Sequence, residues 1–139
     1  MPTKVDYFLD TNILIYAALG RGLHERKRKI AHDLVVDGKF GISTQVLQEF
    51  YTSAIRKTAR PLTPDEALEW LNELQRQECV TVDKALIRVG IEISQRYRIN
   101  YWDGAILAAA ERLEAEVVYT DDLNHGQSYG SIRVTNPFL

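Results

Sequence analysis

The stretch Tyr7-Phe8-Leu9-Asp10-Thr11-Asn12-Ile13-Leu14-Ile15 decides the architecture. A dense apolar run breaks once, for an acid, a hydroxyl and an amide, and then resumes. Residues 5 to 9 read as a short buried strand, so Asp10 stands where that strand ends. In an open parallel sheet, ligands collect in the crevice beyond the carboxyl ends of the strands, and an acid there is a candidate functional group. A plain turn explains the same break, because Asp and Asn are common turn residues.

Working outward, a charged amphipathic helix is predicted from Glu25 to about Val36, stopped at Asp37-Gly38 and followed by a strand at 40–43. Apolar residues at 46, 47, 50, 51, 54 and 55 recur as one helical face and place a helix over 44–59. Thr63, Pro64 and Glu66 carry the signature of a capped helix start. Beyond it come a strand at 79–82, a helix at 85–97, a helix from Asn100 to Ala115, a strand at 117–119 and a candidate fifth strand at 132–135. Short β-branched runs separated by helices predict a three-layer α/β/α fold, its central parallel sheet of four to five strands joined by right-handed crossovers. No repeat, low-complexity tract or Gly/Ser linker divides the chain, so residues 1–139 are expected to form a single domain.

The totals narrow the class. A chain of 139 residues can bury roughly two-thirds of its unfolded surface. With 45% hydrophobic and 26% charged residues it is not a disordered segment, so its function must come from particular residues. The single Cys79 excludes an internal disulfide and a multi-cysteine zinc site. The start MPTKVDYF lacks a signal-peptide pattern, and no apolar run approaches the ~18 residues of a membrane span, so a cytoplasmic protein without membrane contact is expected. A net charge of -2 gives no global attraction to nucleic acid. Such binding would need metal ions or the local basic groups Arg26 to Lys29 and Arg56-Lys57 with Arg60.

Asp121 and Asp122 directly follow the strand at 117–119, at the same sheet edge as Asp10, although the pair also reads as a turn. Asp103 has two readings. It is a first-turn acid favoured by the helix dipole with Asn100 as cap, and it also projects between Leu107 and Ala110 at the margin of the apolar arc. Glu49 lies opposite its helix's apolar face, beside Gln45, Thr52, Ser53 and Arg56, and by pattern is a solvated residue. If these carboxylates converge, they repel one another unless cations neutralise them, and all-oxygen donors suit Mg²⁺ or Mn²⁺. Such ions activate water for attack on a phosphodiester.

Four segments carry a resemblance: FLDTNILIYAA (8–18), STQVLQEFY (43–51), INYWDGAILAAAERLEAEVVYTDDLNHGQ (99–127) and SIRVTNPFL (131–139). In this order they span nearly the whole chain. On them the sequence resembles the PIN-domain nucleases, and within these the VapC-type ribonuclease toxins of type II toxin-antitoxin systems. The resemblance implies a catalytic, metal-binding quartet of Asp10, Glu49, Asp103 and Asp122. The family places its last acid two residues after a Ser or Thr, here Thr120, which selects Asp122 and leaves Asp121 as a neighbour. Thr11, Asn12, Thr120 and Asp121 become hydrogen-bonding supports. The resemblance also implies Mg²⁺ or Mn²⁺ as cofactor, an RNA substrate with Arg56 holding its backbone, a small antitoxin whose C-terminal segment crosses the cleft, and a homodimer. The NHGQ turn and NPF tail resemble one toxin subgroup. One departure is Asn124, where many relatives carry a further acid.

Other classes fit less well. A phosphate-accepting receiver wants an acidic pair after strand one, an acceptor Asp after strand three and a Lys after the last strand, and the order here is different. Haloacid-dehalogenase phosphatases need D-x-D where this chain has Asp10-Thr11-Asn12. Cys79 sits inside an apparent strand, and no Gly-x-Ser-x-Gly occurs. His24, His32 and His125 lack metal-ligand spacing and read as surface or hydrogen-bonding residues, while Trp70 and Trp102 read as core aromatics. A catalytically idle module of the same family has no need to keep all four acids.

Overall fold

The chain alternates strand and helix from its start. The computed structural model describes residues 5–22, 24–56 and 59–139, and the elements run β1 (Tyr7–Leu9), α1 (Thr11–Leu19), α2 (Glu25–Asp37), β2 (Phe40–Ser43), α3 (Thr44–Ala54), α4 (Pro64–Leu74), β3 (Glu78–Val80), α5 (Lys84–Tyr97), α6 (Tyr101–Arg112), β4 (Val117–Tyr119), β5 (Ser128–Tyr129) and β6 (Ile132–Thr135). The sheet order is β3-β2-β1-β4-β6-β5. Every pairing is parallel except β5 with β6.

That order positions the site. The chain steps outward from β1 to β2 to β3, then returns to lay β4 on the other side of β1. Right-handed crossovers therefore put α1 to α4 on one face and α5 with α6 on the other. The packing follows, with α1 against α2 and α3, α3 against α4, and α5 against α6. The direction reverses between β1 and β4, and in open parallel sheets ligands collect beyond the carboxyl ends of the strands at such a reversal.

Phe8, Leu9, Ile42, Val118 and Val134 are fully buried in the sheet's core, each contributing about 1.5–3 kcal/mol. Helix α6 is buried from Gly104 through Ala110. Its contact with α5 is unusually close: a Cβ on Gly104 would lie 2.5 Å from the Gly90 carbonyl oxygen. Helix starts carry the expected caps. Ser43, Thr63, Asp83 and Asn100 each accept a first-turn backbone N–H, and Thr63 with Glu66 closes the capping box.

The three-layer expectation holds, with differences in detail. The sheet has six strands, because the two-residue β5 folds back on β6 through Gly130 at φ 63, and two residues are too few for a readable alternation. Helix α3 ends at Ala54 rather than 59, its final carbonyls taken by the Ile55 and Arg56 N–H groups. Lys57 and Thr58 lie outside the described residues, as do residues 1–4 and Leu23. Helix α6 ends at Arg112 rather than 115, since Glu114 turns left-handed at φ 58. Trp70 packs on Phe50 as expected, ring centroids 5.9 Å apart. Trp102 does not join the core: it is 63% exposed because it lies in the first turn of α6, whose backbone is tied to the start of α3 at the sheet's carboxyl edge. Among the described residues no helix is long and apolar enough to cross a membrane.

Candidate active site

Asp10 leaves β1 in extended conformation and caps α1. Its side chain is buried, and each carboxylate oxygen accepts one hydrogen bond. One carboxylate oxygen accepts the Thr11 N–H at 2.7 Å, and the other accepts the Thr120 hydroxyl at 2.8 Å. Removal from water pushes this carboxyl up to about 7; the two hydrogen bonds oppose the shift, and the charges of Asp122 and Glu49 add to it. Among the described residues no ion pair reaches any acid of the cleft.

Thr120, itself fully buried, joins the two strand ends. Besides donating to Asp10, its oxygen accepts the Asp122 backbone N–H at 3.1 Å and the Asn12 amide at 3.3 Å. The Asn12 amide also reaches the Asp121 carboxylate, while Asn12 Oδ1 is buried without a partner. Asp121 is thus occupied by a neighbour and half-buried, whereas Asp122 is exposed. Burial and Asp122 raise the Asp121 carboxyl, and Lys27 opposes them.

Glu49 corrects the pattern reading. It is half-buried rather than solvated, because α1 and the first turn of α6 cover that side of α3. Gln45 Nε2 donates to Glu49 at 3.1 Å and to the Trp102 carbonyl at 3.3 Å; the Thr11 hydroxyl stands 3.4 Å from the same Glu49 oxygen. Gln45 is a residue the sequence reading grouped with the solvated face, yet it is buried. Its four-residue spacing from Glu49 at a strand-to-helix junction is the signal that marks it.

Both readings of Asp103 apply. Its N–H is capped by Asn100 Oδ1 at 2.9 Å, and Asn100 Nδ2 holds its carboxylate at 2.8 Å. The side chain is half-buried, and burial, opposed by Asn100, raises its carboxyl with help from Asp122. Arg56, by contrast, is exposed and follows the end of α3, about 10 Å beyond Glu49 along the helix direction. Asn124 donates to Gln127 within the turn after β4, and His125 Nδ1 accepts the Asn136 N–H.

The donor set fits a hard divalent cation in kind. Every group is an oxygen ligand, burial penalises the charged form of Asp10, and the buried Asn12 amide oxygen has no hydrogen-bond donor among the described residues. Among the described residues no three acidic, histidine or cysteine side chains already stand close enough to enclose an ion, so an ion would reach some of these carboxylates through water or after the exposed Asp122 moves inward.

Comparison with known proteins bears on the family and the fold. The family model described as PIN domain matches residues 7–127. The fold is similar to a toxin-antitoxin complex from Klebsiella pneumoniae (20% identity, 94% of this chain and 97% of that one, TM-score 0.68). It is also similar to FitAB bound to a DNA fragment (18%, 96% of each, 0.66) and to the sarcin-ricin-loop-cleaving toxin VapC20 of Mycobacterium tuberculosis (14%, 84% and 91%, 0.64). No curated protein sequence matches. Matched over most of its length and folded as the sheet order requires, the chain belongs to the PIN domain family.

Proposed function

We propose that this chain is a metal-dependent endoribonuclease of the VapC type, held in check by a small antitoxin and acting as a homodimer in the cytoplasm. The observation that carries the reading is Asp10, a carboxylate buried at a strand end with no ion-pair partner among the described residues and with Asp122 and Glu49 close enough to disfavour its charge. A positive ligand would relieve that cost, and the three other acids of the quartet, Glu49, Asp103 and Asp122, supply the remaining donors.

In this reading Asp10, Glu49, Asp103 and Asp122 hold Mg²⁺ or Mn²⁺, which supplies an activated water and neutralises charge on the phosphodiester. The chain's own part is orientation. Thr120 aims the Asp10 carboxylate and anchors the backbone of Asp122; Gln45 and Thr11 aim Glu49; Asn100 aims Asp103. Asn12 restrains Asp121 and leaves Asp122 unencumbered, which supports Asp122 as the fourth ligand. The distance of Arg56 from these groups gives its proposed backbone contact no support from the local geometry. The antitoxin reading draws on the neighbours, several of which are toxin-antitoxin complexes.

The test is cleavage of RNA with Mg²⁺ or Mn²⁺, with EDTA, and with Asp10→Asn and Asp103→Asn. The expected outcome is cleavage that requires the metal and disappears in both variants. Activity that survives EDTA or both substitutions would falsify the metal mechanism. Co-purification with the product of an adjacent short reading frame tests the antitoxin.

A further inference from the structure

We propose that Lys27 is a phosphate-binding residue of this cleft, its ammonium held by the rings of Tyr16 and Phe138 so that it meets the backbone of single-stranded RNA entering beside Asp121. The proposal rests on the ribonuclease reading above and names a contact that motif comparison does not supply.

The basic run on α2 separates into distinct roles. Arg28 is paired with Glu25 at 2.6 Å, Arg26 donates to the Phe138 carbonyl at 2.8 Å, and Lys29 is exposed. Lys27 is half-buried, with Nζ 5.0 Å from the centroid of Tyr16 and 5.5 Å from that of Phe138, inside the range at which a ring face attracts a cation. Of its three N–H donors, one goes to the Tyr16 hydroxyl at 3.4 Å. Among the described residues the others have no protein acceptor, and no acid forms an ion pair with Lys27.

Its position follows from α1. Tyr16 is four residues after Asn12, so both lie on one face of that helix, one turn apart. Asn12 holds Asp121 and Thr120; Tyr16 holds Lys27. The ammonium is therefore carried on the same face of α1 as the amide that holds Asp121, and its charge is felt at Asp121. The closing Asn136-Pro137-Phe138 segment acquires a purpose as well. The Phe138 ring packs edge-on against Tyr16 at 5.0 Å, its N–H is held by Asn136 Oδ1, and Asn136 is tied through His125 to the loop that carries Asp121 and Asp122. Tyr16 and Phe138 are positioning residues, and Lys27 is the group that touches substrate. A compact ammonium with free donors suits a phosphate oxygen.

The experiment measures binding of a fluorescent single-stranded oligoribonucleotide to the full chain carrying Asp10→Asn, at fixed Mg²⁺ and several KCl concentrations. Adding Lys27→Ala should weaken binding on the order of tenfold and flatten the log–log salt slope by ~0.7, the loss of one single-strand phosphate contact. Lys27→Arg should restore most of the affinity, Phe138→Leu should fall between, and Lys29→Ala should leave both quantities unchanged. In the cleaving protein, Lys27→Ala should raise KM more than it lowers kcat. Unchanged affinity and slope in Lys27→Ala, with only a lower melting temperature, overturn the assignment and make Lys27 an internal counter-ion. Wild-type protein that cuts no RNA, together with an Asp10→Asn chain that binds none, defeats the ribonuclease reading itself.

Discussion

Two junctions in this molecule have the same local grammar and opposite electrostatics. Asp10 ends β1 and caps α1; Asp83 follows β3 and caps α5, accepting the Leu86 N–H at 2.8 Å. Asp83 is exposed and joined to Arg112 at 3.1 Å, and that guanidinium, with the Leu86 N–H, holds its carboxyl below the ordinary range. Asp10 is buried, bonded only to neutral donors and flanked by other acids, and its carboxyl is pushed up to about 7. The contrast teaches that a strand-end aspartate becomes a candidate ligand through what surrounds it: a buried carboxylate without a paired cation among the described residues is one that a positive ligand would stabilise, whereas an exposed cap with an arginine beside it is complete.

The sharpest way to break that contrast is to neutralise both acids. Asp10→Asn is expected to lower metal-dependent RNA cleavage at least about a thousandfold, since several kcal/mol of charge stabilisation depend on the ion. Melting in EDTA at pH 8 should be no lower than wild type, because a disfavoured buried charge is gone. Asp83→Asn should leave cleavage nearly intact and lower the melting temperature. A stability loss in Asp10→Asn, or a cleavage loss in Asp83→Asn, undoes the distinction.

Thr120→Val sharpens it next. The substitution keeps the shape and removes the hydroxyl that serves Asp10, Asn12 and Asp122 together. Metal affinity, read as the Mn²⁺ concentration that raises the melting temperature, should fall about 10- to 100-fold. The metal-free protein should lose about 1–3 kcal/mol, because buried groups lose their partner. On the structural side the sensitive position is the α5–α6 contact: Gly104→Ala must displace the Gly90 carbonyl and the Ser94 side chain, at a cost of about 1–3 kcal/mol in chemical denaturation.

The smallest effect is a pH dependence. Asp83's folded carboxyl titrates below its unfolded value, near 3.8, so its contribution is present above that pH and is lost as pH falls through the folded value. The melting difference between wild type and Asp83→Asn should therefore shrink on acidification from pH 6 to pH 3. A difference that stays constant would mean that the cap and the Arg112 pair do not depend on the charge.

Most of the architecture was legible because its signals are local. The break at Asp10, the capping box at Thr63 and the four-residue recurrence along α3 each depend on neighbours within one or two turns. The boundaries that differed, at Ala54 and Arg112, were decided by turn hydrogen bonds and one left-handed residue, which an apolar pattern does not encode. Residue reasoning put Asp10, Asp121 and Asp122 at the sheet's carboxyl edge and left Asp103 between a helix-dipole acid and an inward-facing one; only the resemblance grouped Asp103 with them. Glu49 was not placed there by residue reasoning, because its burial depends on α1 and α6 arriving from distant parts of the chain to cover a polar face. Trp102 failed in the opposite sense: it looks like a core residue and stands at an open rim. Gln45 and Lys27 were obscured by their company, one among polar helix residues and the other inside a basic run.

The two-residue β5 has a consequence for how copies of this chain meet. An exposed strand edge offers unpaired N–H and C=O groups to any neighbouring chain, and long flat edges invite fibrous growth. Here one flank of the sheet closes with an antiparallel stub of two residues and the other with the three-residue β3, which begins at exposed Glu78. Neither offers a template long enough to propagate a stack of sheets, so at high concentration association should proceed through helix faces and side chains rather than by backbone zippering.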